Sequence, residues 1–173
     1  MSQLDIKTYG ASVLRVKANP IEKITPEILA LADEMLVTMR RAPGIGLAAP
    51  QVGHSIRMMI VTYGLEEERP EPRVLINPEI LEHGDEIEKC EEGCLSVPDI
   101  TGVVPRWTWI RIRAQNLDGE VFEEELEGWT ARIFQHEFDH LEGVLFVDRL
   151  SRLKKDLVKR RLKKRLKEEA ENK

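Results

Sequence analysis

Residues 109–141 read WIRIRAQNLDGEVFEEELEGWTARIFQHEFDHL, and the parsing of this stretch decides the fold. Two strand-like runs, 109–114 and 121–126, flank Asp118-Gly119, a dipeptide suited to tight hairpin turns. A helical segment follows from about Thr130 to Leu141 and stops ahead of Gly143. Upstream, strand-like runs cover 57–63, 73–77 and 80 to about 91, with Pro70 and Pro72 marking an exposed turn. Strands and helices therefore do not alternate as βαβ units. The pattern predicts an α+β fold, with antiparallel or mixed sheets packed around a central helix carrying HEFDH.

Further out, the first twenty residues read as irregular. Thr25-Pro26-Glu27 then supplies an N-cap, a first-turn proline and a first-turn acid. Ile28, Leu29, Leu31, Met35, Leu36 and Met39 recur behind it at helical spacing to about Arg41. Pro43-Gly44 ends that helix and opens a loop running to Gly53. At the other end, a third helix begins near Asp148 or Ser151, with Leu153, Leu157, Val158, Leu162 and Leu166 expected on one face.

Composition narrows the function classes. The chain has 173 residues, 42% hydrophobic and 33% charged, so it is neither a low-hydrophobicity disordered chain nor a membrane protein. No run approaches the ~18 consecutive apolar residues of a spanning helix. Met1-Ser2-Gln3-Leu4-Asp5 has neither a basic nor an apolar leader region, which predicts a cytoplasmic protein. The formal charge of −5 conceals a split. Residues 151–173 hold 11 Lys/Arg against 4 Asp/Glu, and residues 1–150 hold 15 against 27, giving +7 and −12. The expected organisation is a catalytic domain over 1–150 and a basic amphipathic helical extension over 151–173. Contact with RNA phosphates is one use of such a helix; a solvated helix balancing its own acidic body is the other. Neither a membrane nor DNA is an expected partner.

The chemistry concentrates in His136-Glu137-Phe138-Asp139-His140. Residues at i and i+4 share a helical face about 6 Å apart, so both imidazoles reach one metal ion. Glu137 projects near the same ion and suits a general base acting on metal-bound water. A hydrolytic site of this kind usually takes three protein ligands. The extended H-x-x-G-x-x-H pattern fails because its last position is Phe146. Among downstream acids, Asp148, Asp156 and the Glu168-Glu169 pair are available, but the last three sit in or at the start of a basic, solvated helix. Cys94, in Glu91-Glu92-Gly93-Cys94-Leu95-Ser96-Val97-Pro98, is the better third ligand. A thiolate with two imidazoles suits zinc or ferrous iron, not magnesium or calcium. Cys90 reads as a small buried residue. An extended segment would hold the two cysteines about 13 Å apart, too far for a disulfide. Gln51 offers a side-chain amide for a developing oxyanion. Asp139 lies off the face of the two histidines and reads as structural, with Arg106 or Arg132 as its partner.

Taken together, Gly44-Ile45-Gly46-Leu47-Ala48-Ala49-Pro50-Gln51, Glu92-Gly93-Cys94-Leu95-Ser96 and Gln135-His136-Glu137-Phe138-Asp139-His140 resemble the three signature motifs of the peptide deformylase family, in the family's order. The similarity spans about residues 5–150. The resemblance implies that Cys94, His136 and His140 bind one divalent metal ion, ferrous iron foremost, with zinc, nickel or cobalt able to substitute. It implies that Glu137 is the acid/base, and that the Gln51 amide and the Leu95 N–H hold the oxyanion. Gly44, Ile45, Gly46, Glu92, Gly93, Trp129 and Ile133 are the implied methionine-pocket residues, with His136 as part of the wall. The implied substrates are N-formylmethionyl nascent peptides. One departure is Gly102, where the best-known bacterial members carry arginine. Three other readings compete: a protease cutting internal bonds, which leaves the first two motifs unexplained; a non-catalytic partner-binding module, in which loss of Glu137, Gln51 or Cys94 would be expected; and a structural zinc domain, for which no fourth ligand is evident.

Overall fold

The structure is a computed structural model that describes residues 3–172. Helix α1 spans Pro26–Arg41, and Thr25 caps it by accepting a hydrogen bond from the Ile28 N–H. Strands β1 (Gly46–Ala48), β2 (Met58–Tyr63), β3 (Glu71–His83), β6 (Trp109–Gln115) and β7 (Val121–Glu127) form one antiparallel sheet in the order β1-β2-β3-β6-β7. Strands β4 (Ile87–Cys94) and β5 (Val97–Trp107) form a separate two-stranded sheet. Helix α2 covers Gly128–Leu141 and α3 covers Arg152–Glu171. The α+β expectation holds, and so does the turn at Gly119, where φ is +83°.

The large sheet is covered on both faces. Met58 and Ile60 of β2 point to a cluster with Leu31, Ala32, Met35 and Met39 of α1. Met59 and Val61 point the other way, to a cluster with Ala131, Ile133, Phe134 and Leu141 of α2. A strand buried on both faces reads as an unbroken apolar run, as Met58-Met59-Ile60-Val61 does. Helix α2 is therefore the buried centre of the fold, with its motif held between the large sheet and the β4–β5 hairpin.

A third cluster joins Leu14, Val97, Ile100, Val104, Phe146 and Leu150 to Val158 and Leu162 of α3. The basic helix is thus seated on the body through a narrow stripe. Leu153 and Leu157 do not belong to it; they are 75% and 55% exposed. At about 100° per residue, Leu153 and Leu157 lie about 140° around the helix from the line of Val158 and Leu162, so the five-residue apolar face expected from sequence divides in two.

Four element assignments also differ from expectation. The segment 97–107 is a strand; the stretch 80–91 is broken at the polar turn Gly84-Asp85-Glu86; and the glycine loop contains the short strand β1. Helix α2 starts at Gly128, two residues earlier than Thr130. Among the described residues, no helix is long and apolar enough to cross a membrane.

Candidate active site

Three elements meet at one point. The helical spacing of α2 brings His136 and His140 onto one face, and the end of β4 delivers Cys94 opposite them. One ligand atom from each of Cys94, His136 and His140 lies within 4.8 Å of the others, and Cys94 Sγ is 3.3 Å from His140 Nε2. His136 Nδ1 is engaged by Glu92 Oε2 at 2.9 Å, which turns its Nε2 toward the cluster. Cys90 and Cys94 are both free thiols.

Glu92 is anchored in turn. Arg106 Nε and Nη2 donate to its two oxygens at 2.9 and 3.0 Å, and Arg132 Nη1 donates at 2.8 Å. Arg106 also reaches Asp139 at 2.6 Å, and Arg149 closes the chain with two bonds to Asp139. Of the two partners the sequence offered for Asp139, Arg106 is the one used; Arg132 serves Glu92. Burial, the largest single influence on Glu92, would raise its carboxyl, but hydrogen bonds and charge from His136 and Arg106 hold it down at about 2. Glu92 is therefore a permanent anion that orients an imidazole.

Glu137 stands in contrast. Burial first, then the charges of Glu92 and Asp139, push its carboxyl up to about 7 against the pull of His136 and Arg106. Its Oε2 is buried without a hydrogen-bond partner among the described residues. A Cβ added at Gly46 would collide with the Glu137 carboxylate. Only glycine lets β1 pass this close.

Gln51 has a fixed orientation. The Ala48 N–H donates to its Oε1 at 2.8 Å, so its Nε2 points to Ser96 Oγ at 3.2 Å and Cys94 Sγ at 3.5 Å. The two loops are tied together by the N-terminal segment, where Lys7 N donates to Gln51 O and Tyr9 N to Ser96 O. Ser96 lies in the second motif, and nothing in the sequence alone assigns it a role. Arg106 carried a usable signal: it falls on the inward phase of an alternating strand, beside Val104, Gly102 and Ile100.

Above the cluster opens a cleft of about 630 Å³. Gly44, Ile45 and Gly46 line one wall, Trp129, Ile133, His136 and Glu137 of α2 a second, and Glu92, Gly93, Cys94 and Leu95 a third, with Gln51 among them. Of the sequence-derived site residues, only His140 lies off the cleft wall, beneath Cys94. Trp129 and Ile45 are 40% and 42% exposed at the mouth. Gly102 lies away from this cleft, packed so closely on Leu150 that a side chain there would overlap it.

The donor set suits a divalent cation. It combines a sulfur with two imidazoles, one oriented by a buried carboxylate and the other, His140, held neutral. Burial and the charge of His136 both lower the His140 pKa well below its ordinary value.

A family model described as polypeptide deformylase matches residues 3–156. The chain belongs to the peptide deformylase family. A peptide deformylase from Mesorhizobium japonicum is 46% identical over 161 residues, covering 93% of this chain and 92% of that protein. The crystal structure of a plant peptide deformylase matches with a TM-score of 0.91 at 37% identity, covering 99% of this chain and 94% of that one. A class I type b peptide deformylase from Acinetobacter baumannii, solved with Met-Ala-Ser bound, matches with a TM-score of 0.80 at 39% identity, over 86% of this chain and 99% of that one. The chain is an enzyme of the peptide deformylase type, a hydrolase of protein biosynthesis acting on N-formylmethionyl peptides, and the family is one of metalloenzymes.

Proposed function

We propose that this chain removes the N-formyl group from the N-terminal methionine of newly synthesised proteins and releases formate. Cys94, His136 and His140 hold one divalent metal ion, with ferrous iron favoured over zinc, nickel or cobalt. The observation that carries this reading is the meeting of three ligand atoms within 4.8 Å beside a buried, unpartnered carboxyl. When bound, the ion would lower the pKa of water and draw charge from the formyl oxygen.

The remaining steps belong to side chains and backbone. Glu137 takes a proton from the attacking water and hands it to the departing amine as the C–N bond breaks. Burial raises this carboxyl above an ordinary glutamate, which favours its holding the proton between the two steps. The Gln51 amide and the Leu95 N–H stabilise charge on the formyl oxygen; losing one such donor typically costs ~10²–10³ in rate. Gly44, Ile45, Gly46, Gly93, Trp129 and Ile133 form the apolar methionine pocket. Glu92 adds its carbon chain to that wall, while its carboxylate orients His136.

Residues 1–150 act as the catalytic domain, and 151–173 form an extension whose basic face meets ribosomal RNA in the cytoplasm. The catalytic reading is tested by formate release from formyl-Met-Ala-Ser beside the acetylated peptide. Turnover of the formyl peptide alone, abolished by a chelator and restored by ferrous iron, is expected. Equal cleavage of both peptides, or cleavage of an internal bond, would contradict it.

A further inference from the structure

The β4–β5 ladder is interrupted beside the cysteine. Its register passes from Gly93 opposite Thr101 to Cys94 opposite Val97, so Pro98, Asp99 and Ile100 fall outside the pairing. Ile100 is buried in the third cluster, whereas Pro98 and Asp99 are exposed and line the cleft. Asp99 has φ +63°, in the left-handed region that few non-glycine residues adopt. This lip is one residue past Val97, directly after the turn that carries Cys94 and Leu95. It is a bulge of the kind that re-aims backbone next to a site, and the ladder does not hold it.

A distant residue does. Arg165 of α3 donates from Nη1 to the Pro98 carbonyl at 3.0 Å and from Nη2 to Asp99 Oδ2 at 3.2 Å. Its helix is seated on either side of it. Leu162 is buried in the third cluster, and Leu166 closes on Gly10, next to the Tyr9 whose N–H holds Ser96. The guanidinium thus has a fixed base from which to hold a lip that lacks its own ladder bonds.

We infer that Arg165 is a positioning residue for the cleft lip at Pro98 and Asp99, and through it for the peptide residues that follow the formyl-methionine. The inference rests on the deformylase reading and deepens it. The methionine pocket and the metal donors are built from other segments, so a one-residue substrate does not depend on the lip, whereas a longer peptide passes over it.

The test is steady-state kinetics of the metal-loaded protein on formyl-methionine amide and on formyl-Met-Ala-Ser. Arg165→Ala should raise KM for the tripeptide about two- to five-fold, the scale of an exposed ion pair. It should leave kcat and the one-residue substrate unchanged, with partial recovery in Arg165→Lys. Asp99→Asn probes the same contact from the lip without touching the helix, and the double variant should be no worse than Arg165→Ala alone. Equal effects on both substrates, no effect on either, or additive effects of the two substitutions would overturn the role of Arg165. Absence of formate from both substrates with the unaltered protein would instead contradict the deformylase reading.

Discussion

Gly46 and Glu137 illustrate how closely one residue's absence of a side chain sets another's chemistry. Burial is the main influence that pushes the Glu137 carboxyl up to about 7, and β1 packs against it so closely that Gly46 has no room for a Cβ. Gly46→Ala would force the carboxylate aside while leaving the core clusters untouched. Turnover is expected to fall at least ~10²-fold, the scale lost on misplacing a reacting group. Metal content should be preserved, because no ligand moves. Kinetics beside metal analysis checks this; wild-type rates would show that the close approach is unimportant. Of the candidate site residues, His136 and His140 were legible in the sequence through helical spacing and Cys94 through the chemistry of its thiol, both local properties. The clamp on Glu92 was not, because Arg106 and Arg132 come from separate elements whose meeting depends on the tertiary fold.

At the scale of elements, strand β5 escaped a sequence reading for a physical reason. Strand β5 contains Pro98, Gly102 and Pro105, all of which weaken a strand assignment. In a two-stranded sheet every strand is an edge, so a proline with its missing N–H turned outward costs no ladder bond. Helix α1, by contrast, carried its cap, its proline and its periodicity in one continuous stretch. The hairpin and α2 are joined by the buried Glu92–Arg106–Asp139 network, which the exposed Arg149 closes at the surface, and this network has a pH signature. The Glu92 carboxyl lies at about 2 in the fold against an ordinary 4.5. The stability it contributes is therefore present above about pH 4.5 and lost as pH falls toward 2, an amount of order 3 kcal/mol. Glu137 acts in the opposite sense in the metal-free protein, costing stability as pH rises from 4.5 through about 7. Urea unfolding across pH 2 to 5 should show Glu92→Gln less stable than the parent at pH 5 and the gap closing toward pH 2. A pH-independent gap would contradict the assignment.

The whole molecule combines an acidic body with a basic helix, and the split between −12 and +7 is a property of surfaces rather than of folding. Val158 and Leu162 fasten α3 to the body, while the exposed Leu153 and Leu157 and most of its lysines and arginines face outward. If this face meets ribosomal RNA, replacing Arg160, Arg161, Lys163 and Lys164 by glutamate should weaken ribosome co-sedimentation. It should also flatten the salt dependence of that co-sedimentation. Formate release from short peptides should be unchanged. Co-sedimentation that ignores both salt and these substitutions would rule the contact out.

If one metal centre and one carboxyl do the chemistry, Glu137→Gln separates metal binding from turnover. Formate release from formyl-Met-Ala-Ser and bound metal per chain are measured on the same preparation of the variant. About one metal ion per chain, with turnover lowered by several orders of magnitude, is the predicted result; near-normal turnover with the metal in place would contradict it.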